Sequence, residues 1–191
     1  MRQNSTRNRG KMSQGSSRTI IIDASIARSS GGEDATYPLS RDCRDFLKAI
    51  LTICHHAAMS PDLTEEWKNH ESNWARRWRT AMVARKKLLR IQPALDTTLR
   101  SKLVALAATD REAEAMLKDC HLLEAALATD QCVASLDEKA RGLFADAAQT
   151  VKLLGRINWV NPGHAHERAI AWLENGAPPD KARQLGGYAS M

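Results

Sequence analysis

Apolar positions along the chain switch between a continuous short run and a spacing of three to four residues, which reads as strand alternating with helix. The first ordered run, Thr19-Ile20-Ile21-Ile22, is β-branched like a buried central strand and stops on Asp23. Ser25 to Ser40, rich in Ser and Gly and containing Gly31-Gly32, predicts a short helical turn and a loop. From Arg41 to His56 the apolar residues Cys43, Phe46, Leu47, Ile50, Leu51 and Cys54 share one broad helical face, with Ser40 as candidate cap. Ala57-Ala58-Met59 predicts a short strand. Ser60 before Pro61 opens another helix, whose one side carries Leu63, Glu66, Trp67 and His70, continued by Trp74 and Trp78. A single long helix or a helix pair is expected to run to about Arg90, where Ile91-Gln92-Pro93 breaks it.

The pattern resumes at Leu95–Ala108 with another helix. Thr109 and Glu112 have the spacing of a capping box, and Arg111 to Lys118 leads into Asp119. The stretch 119–129 buries Leu122, Leu123, Ala126 and Leu127, and Cys132 to Ser135 predicts a strand. A helix over 138–153, a last strand over 156–160 ended by Pro162, and a short amphipathic helix over 163–175 complete the ordered chain. In that last helix Ala165, Ala169, Trp172 and Leu173 are expected inward, and the tail after Gly176-Ala177-Pro178-Pro179 is expected to be loose.

Composition adds bounds. The 191 residues suit one domain with appendages, long enough for a full core. The net charge of +6 is unevenly spread. Residues 1–18 carry five bases and no acid, 76–102 carry nine bases against Asp96, and 110–146 carry nine acids against four bases. A basic patch beside an acidic one suits a polyanion held against a metal-loaded site; for 76–102 the rival reading is a solvated helical face. Residues 1–17, with almost nothing to bury, are expected to be disordered, as a nucleic-acid arm or a solubilising tail. Cys43, Cys54, Cys120 and Cys132 lack zinc spacing and suggest no disulfide framework. No apolar run reaches the length of a membrane span and no secretory signal opens the chain, so the expected location is the cytoplasm.

The candidate chemistry lies in acids at the element ends. Asp23 closes the first strand, Glu66 lies on the apolar side of its helix, Asp119 opens the Ala/Leu-rich stretch, and Asp137 follows the strand at Cys132. In an open α/β sheet, ligands bind outside the carboxyl ends of the strands. Carboxylates converging there repel one another unless a cation offsets them, and Mg²⁺ or Mn²⁺ is the natural hard, oxygen-liking occupant. His121, just past Asp119, is a candidate to support the site or contact substrate, but two residues along a helix point it elsewhere, so it reads rather as a surface or packing histidine. Trp74 and Trp78, with Arg76, Arg77 and Arg79 about them, are candidates for stacking bases, although aromatics at this spacing more often pack against a neighbouring element.

On these residues the chain resembles the PIN domain nucleases. The matching segments are IIIDAS with Asp23, MSPDLTEEW with Glu66 rather than Glu65, DCHLLEAAL with Asp119, and VASLDE with Ser135 and Asp137. The resemblance covers roughly 18–160, with a helical insertion at about 68–110 after the second strand and an extension over 163–191. It implies a three-layer α/β/α sandwich on a central, mostly parallel sheet of four to five strands. It also implies Mg²⁺- or Mn²⁺-dependent hydrolysis of RNA phosphodiesters, with Asp23, Glu66, Asp119 and Asp137 about the ion. Ser135 would orient Asp137 or a water, since no His–acid pair is placed to activate it as a nucleophile. Arg28, Arg76, Arg77, Arg79, Lys86 and Lys87 are the candidate phosphate holders. Two alternatives stay open: the toxin of a toxin–antitoxin pair, blocked by an antitoxin, or an inactive relative serving as an RNA-binding or scaffold module. Partners expected are RNA, an antitoxin or other protein, or a second copy in a homodimer, and not a membrane.

Overall fold

The structure is a computed structural model and describes residues 17–188. The basic tail expected over 1–17 falls, but for Ser17, outside the described residues. Five strands form one all-parallel sheet: β1 (Thr19–Ile22), β2 (His56–Met59), β3 (Leu88–Arg90), β4 (Cys132–Ala134) and β5 (Asn158–Val160). Their order across the sheet is β3-β2-β1-β4-β5. Eight α-helices connect and flank them: α1 (Ala24–Ser29), α2 (Pro38–Thr52), α3 (Pro61–His70), α4 (Asn73–Ala84), α5 (Thr97–Leu106), α6 (Asp110–Leu127), α7 (Glu138–Thr150) and α8 (Ala169–Glu174). The expected α/β/α sandwich with a parallel sheet is the fold.

The order decides where a ligand can sit. From β1 the chain steps outward to β2 and β3, then returns past β1 to β4 and β5. The first steps use α1–α4 and the later ones α5–α7. Since parallel crossovers are right-handed, reversing the direction of travel puts the two sets on opposite faces. The packing agrees: α2 lies against α4, α8 and β2, while α6 lies against α5, α7, β1 and β4. The reversal falls between β1 and β4, whose carboxyl ends therefore open into a crevice between diverging connections. Ile20, Ile21 and Ile22 are buried because both faces of β1 are covered, as their continuous apolar run requires.

Local signals set most helix starts. Ser60 accepts from the Leu63 amide at 3.2 Å with Pro61 in the first turn, and Ser72 does the same for Ala75 at 3.1 Å. Thr109 accepts from Glu112 N at 3.2 Å, and the Glu112 carboxylate reaches back to Ala108 N at 2.9 Å, a capping box displaced by one residue.

Four local expectations need correction. Ser40 does not cap α2, which begins earlier, at Pro38; proline's fixed φ seeds that first turn, so no side-chain cap is used. The helical stretch expected to reach about Arg90 is a helix pair that ends at Ala84, so the region 68–110 contains the edge strand β3 as well as helices. Lys86 turns the chain at φ 57°, and the Lys87 ammonium inserts among the carbonyls of Ile50, Leu51 and Ile53 at the end of α2, which aims Leu88 along β2. The helix expected over 163–175 is broken at Arg168, with φ 45°, into a 3-10 turn (Ala165–Glu167) and α8; Ala165 is exposed and Glu167 is buried instead. The tail expected to be loose after Pro179 packs against β5. Trp159 N donates to Arg183 O at 2.9 Å, Leu185 N donates to Ile157 O at 3.0 Å, and Leu185 is fully buried. No helix among the described residues is long and apolar enough to cross a membrane.

Candidate functional site

Asp23 leaves β1 with its own amide bonded to Ala134 O of β4 at 2.9 Å, so the pairing of the two central strands runs up to the acid itself. It occupies the N-cap position of α1 without capping it, and its carboxylate faces the crevice. One oxygen, Oδ2, takes hydroxyl donors from Ser25 and, at 2.7 Å, from Ser135. Ser135 Oγ also accepts from Asp137 N at 3.0 Å, and Ser25 Oγ from Leu136 N at 3.2 Å. Ser135 therefore does not orient the Asp137 carboxylate, as expected from sequence; it holds Asp23 and fixes the turn that carries Asp137. Replacing Ser135 with Ala leaves Asp23 held by Ser25 alone. If the cleft is catalytic, Ser135→Ala lowers turnover by about 10- to 100-fold, the usual scale for an outer-shell partner, and also lowers the melting temperature, because the buried hydroxyl no longer accepts from Asp137 N; turnover measured well below the melt checks it.

Asp137 caps α7, its Oδ1 accepting from Ala140 N at 2.8 Å, so one oxygen is committed to the fold. Asp119 lies within α6 rather than at a helix start as expected, because the capping box at Thr109 starts the helix two turns earlier. Burial pushes the Asp119 carboxyl above its usual range; Lys118, 3.8 Å away, pulls it back, and Asp23 and Asp137 push it up again. That mutual repulsion is the electrostatic sign of three carboxylates turned toward a common space.

Glu66 faces the same cleft from α3, but it has a partner. The His121 ring, 6% exposed on α6, brings Nε2 to 3.4 Å from Glu66 Oε2. Its Nδ1 faces Lys118 O at 3.0 Å, a contact that requires N–H there. With Nδ1 donating to a carbonyl and Nε2 facing a carboxylate, the charged imidazolium is the form that suits both contacts. Burial works against that charge, but the Glu66 contact outweighs it and the His121 pKa is raised; Glu66, held first by the same contact, is lowered. So His121 is neither a surface residue nor a plain packing one. Its contribution is present below the unfolded value of about 6.5 and is lost as pH rises through its higher folded value. Glu66's contribution is lost as pH falls through its lowered value. The melting-temperature gap between the protein and a His121→Gln variant is expected to be largest near pH 5 to 6.5 and to shrink by pH 9; a gap independent of pH would contradict the pairing.

All four acids and Ser135 line one cleft of about 160 Å³, together with Ser25, Arg28, His70 and Lys118. No three of the four acids bring carboxylate oxygens within 4.8 Å of one another. Closing on one ion therefore requires side-chain rotation, above all of Glu66 away from His121. Glu65 does not line this cleft; it lines two neighbouring grooves, one beside Met59 and Arg90 and one that it shares with Glu66 and His70.

No family model, curated protein or solved structure matches the chain. The site therefore rests on its own geometry.

Most of the expected phosphate holders are committed elsewhere. Arg79 forks onto Glu71 at 2.9 and 2.7 Å, Arg76 joins it at 3.3 Å, and Lys87 serves the end of α2. Arg77 pairs with Glu33 at 3.0 Å, and neither it nor exposed Lys86 lines the cleft. Of the six, only Arg28 does. Trp78 is buried, stacked on Trp67 at 5.7 Å and donating to Leu47 O at 2.6 Å, so it offers no face for a base; Trp74, partly buried, packs on the core and does not line the cleft. Three polar cleft residues are not singled out for the site from sequence, although His70 is placed there on the Glu66 side of its helix. Lys118 precedes Asp119, Ser25 is two residues past Asp23, and His70 is one turn beyond Glu66 on α3, the spacing that puts it on the same side.

Proposed function

We propose that this chain is a Mg²⁺- or Mn²⁺-dependent ribonuclease of the PIN type, with the cleft between β1 and β4 as its active site. The observation that carries the reading is the convergence of Asp23, Asp119 and Asp137 at the switch point of a parallel sheet, where Asp119 is pushed up by burial first and by its two acidic neighbours in addition. A cation relieves that repulsion, and the donors are all oxygen, which suits a hard ion. Asp23 and Asp119 would hold it, with Asp137 through its non-capping oxygen and Glu66 after release from His121. The ion's contribution would be to activate water at neutral pH and to neutralise charge growing on the phosphate. Ser25 and Ser135 orient Asp23, and Arg28, Lys118 and His70 supply positive charge or donors for the phosphate backbone.

Because Asp119 must be ionised to bind, metal uptake falls as pH drops through its raised value, with protons released on binding. The function is tested by incubating the purified chain with single-stranded and structured RNA and Mn²⁺. Cleavage that stops with EDTA and returns with Mn²⁺ supports the proposal. RNA left intact at every Mn²⁺ concentration, by a protein that is folded and takes up the ion, overturns it.

A further inference from the structure

A second group of donors lies one strand away from the cleft, at the carboxyl end of β5. The sequence Asn161-Pro162-Gly163-His164-Ala165-His166-Glu167 winds into the 3-10 turn before Arg168. This turn stacks the two imidazoles with ring centroids 5.2 Å apart and sends Glu167 inward. Among the described residues, His164, His166 and Glu167 are the one set of three whose ligand atoms all lie within 4.8 Å of one another. His164 Nδ1 is 3.9 Å from Glu167 Oε1 and 3.7 Å from Glu138 Oε1. Donors bound to one zinc ion at about 2.0–2.2 Å lie roughly 3 to 4 Å apart, so only small side-chain adjustments separate this arrangement from a closed site.

The carboxylates are held as metal-binding carboxylates usually are, by hydrogen bonds from behind. Glu167, 6% exposed, takes Arg141 Nη1 on Oε1 at 2.5 Å and Asn161 N on Oε2 at 3.1 Å. Each carboxylate oxygen has a second lone pair to offer. Glu138 takes Asn161 Nδ2 at 2.7 Å and the Tyr188 hydroxyl at 3.0 Å, and Tyr188 in turn lies under the Arg141 guanidinium at 4.2 Å. Two carboxylates against one buried arginine leave a net negative charge facing two imidazoles.

We propose that His164, His166 and Glu167, with Glu138 beside them, bind a borderline transition-metal dication such as Zn²⁺. Two imidazole nitrogens select Zn²⁺ or Co²⁺ over Mg²⁺ or Mn²⁺, which separates this site chemically from the all-oxygen cleft. Glu138 directly follows Asp137, so occupancy would stiffen the start of α7 that carries Asp137 into the cleft. The site stands whether or not the cleft cleaves RNA.

The test uses the full chain with Asp23→Asn and Asp119→Asn, which remove the two principal ligands proposed for the cleft, and Cys54→Ser, which removes an exposed thiol. Titrated with Zn²⁺ by calorimetry, this protein should bind one ion. Adding His164→Ala and His166→Ala should weaken that uptake at least tenfold at unchanged melting temperature, since both rings lie toward solvent. Co²⁺ at the site should show a visible band without thiolate-to-cobalt charge transfer. No Zn²⁺ uptake, uptake unchanged by the histidine substitutions, or a thiolate band would overturn the proposal.

Discussion

Changing Asp23 or Asp119 to Asn should remove Mn²⁺-dependent RNA cleavage, by at least on the order of 10²-fold, while leaving the metal-free protein folded. The expectation comes from what each carboxylate does in the fold. Asp23 caps nothing, and its bonds to Ser25 and Ser135 are ones an amide oxygen can still accept. Asp119 is raised by burial and by its two acidic neighbours, so a neutral amide there relieves repulsion, and Asp119→Asn should melt at or above the unaltered protein without metal. With Mn²⁺ the order should reverse, because only the unaltered cleft gains stability by binding. Paired thermal melts and cleavage assays check both halves. A variant that melts early and cleaves normally would refute this division of labour.

Trp67 carries the largest expected effect on stability. It is fully buried, stacks on Trp78 at 5.7 Å, and donates from Nε1 to Ile22 O at 2.8 Å, next to Asp23. Trp67→Ala should cost about 3–5 kcal/mol, a large share of a single domain's stability. Trp67→Phe keeps most of the packing and loses the donor, at about 1–3 kcal/mol. Because the lost bond anchors the end of β1, Trp67→Phe should also reduce activity under conditions where the protein remains folded. Urea unfolding of both variants, with cleavage measured well below the transition, separates the effects. A Phe variant as stable as the original would show that the indole bond contributes little.

The fold was legible where pattern and local chemistry agreed. The Ile20–Ile22 run, the Ser60-Pro61 start and the Thr109/Glu112 spacing each have a physical reading that their surroundings did not override. β3 was hidden because it has three residues and lies at the sheet edge, so Leu88-Leu89-Arg90 lacks the apolar run of a central strand. The order of the packed tail along β5 depends on long-range backbone bonds such as Leu185 to Ile157, which leave no periodic trace. At the site, the four acids could be picked out in sequence, Asp23 and Asp137 at strand ends and Glu66 and Asp119 on helices, and they do line one cleft. Their partners could not. Ser25 and Ser135 meet on Asp23 only because β1 and β4 are neighbours, and His121 meets Glu66 only because α6 packs on α3. Local charge density misled for Arg76, Arg79 and Lys87, since a buried acid and a helix end took up those cations.

The measurement that bears most directly on the account is a calorimetric Mn²⁺ titration of the unaltered chain beside its Asp23→Asn and Asp119→Asn variants. The shared-ion arrangement predicts uptake by the first and at least tenfold weaker uptake by both variants, each folded as judged by its melt. Equal uptake by all three proteins, or none by any of them, would mean that these carboxylates share a cleft but not a cation.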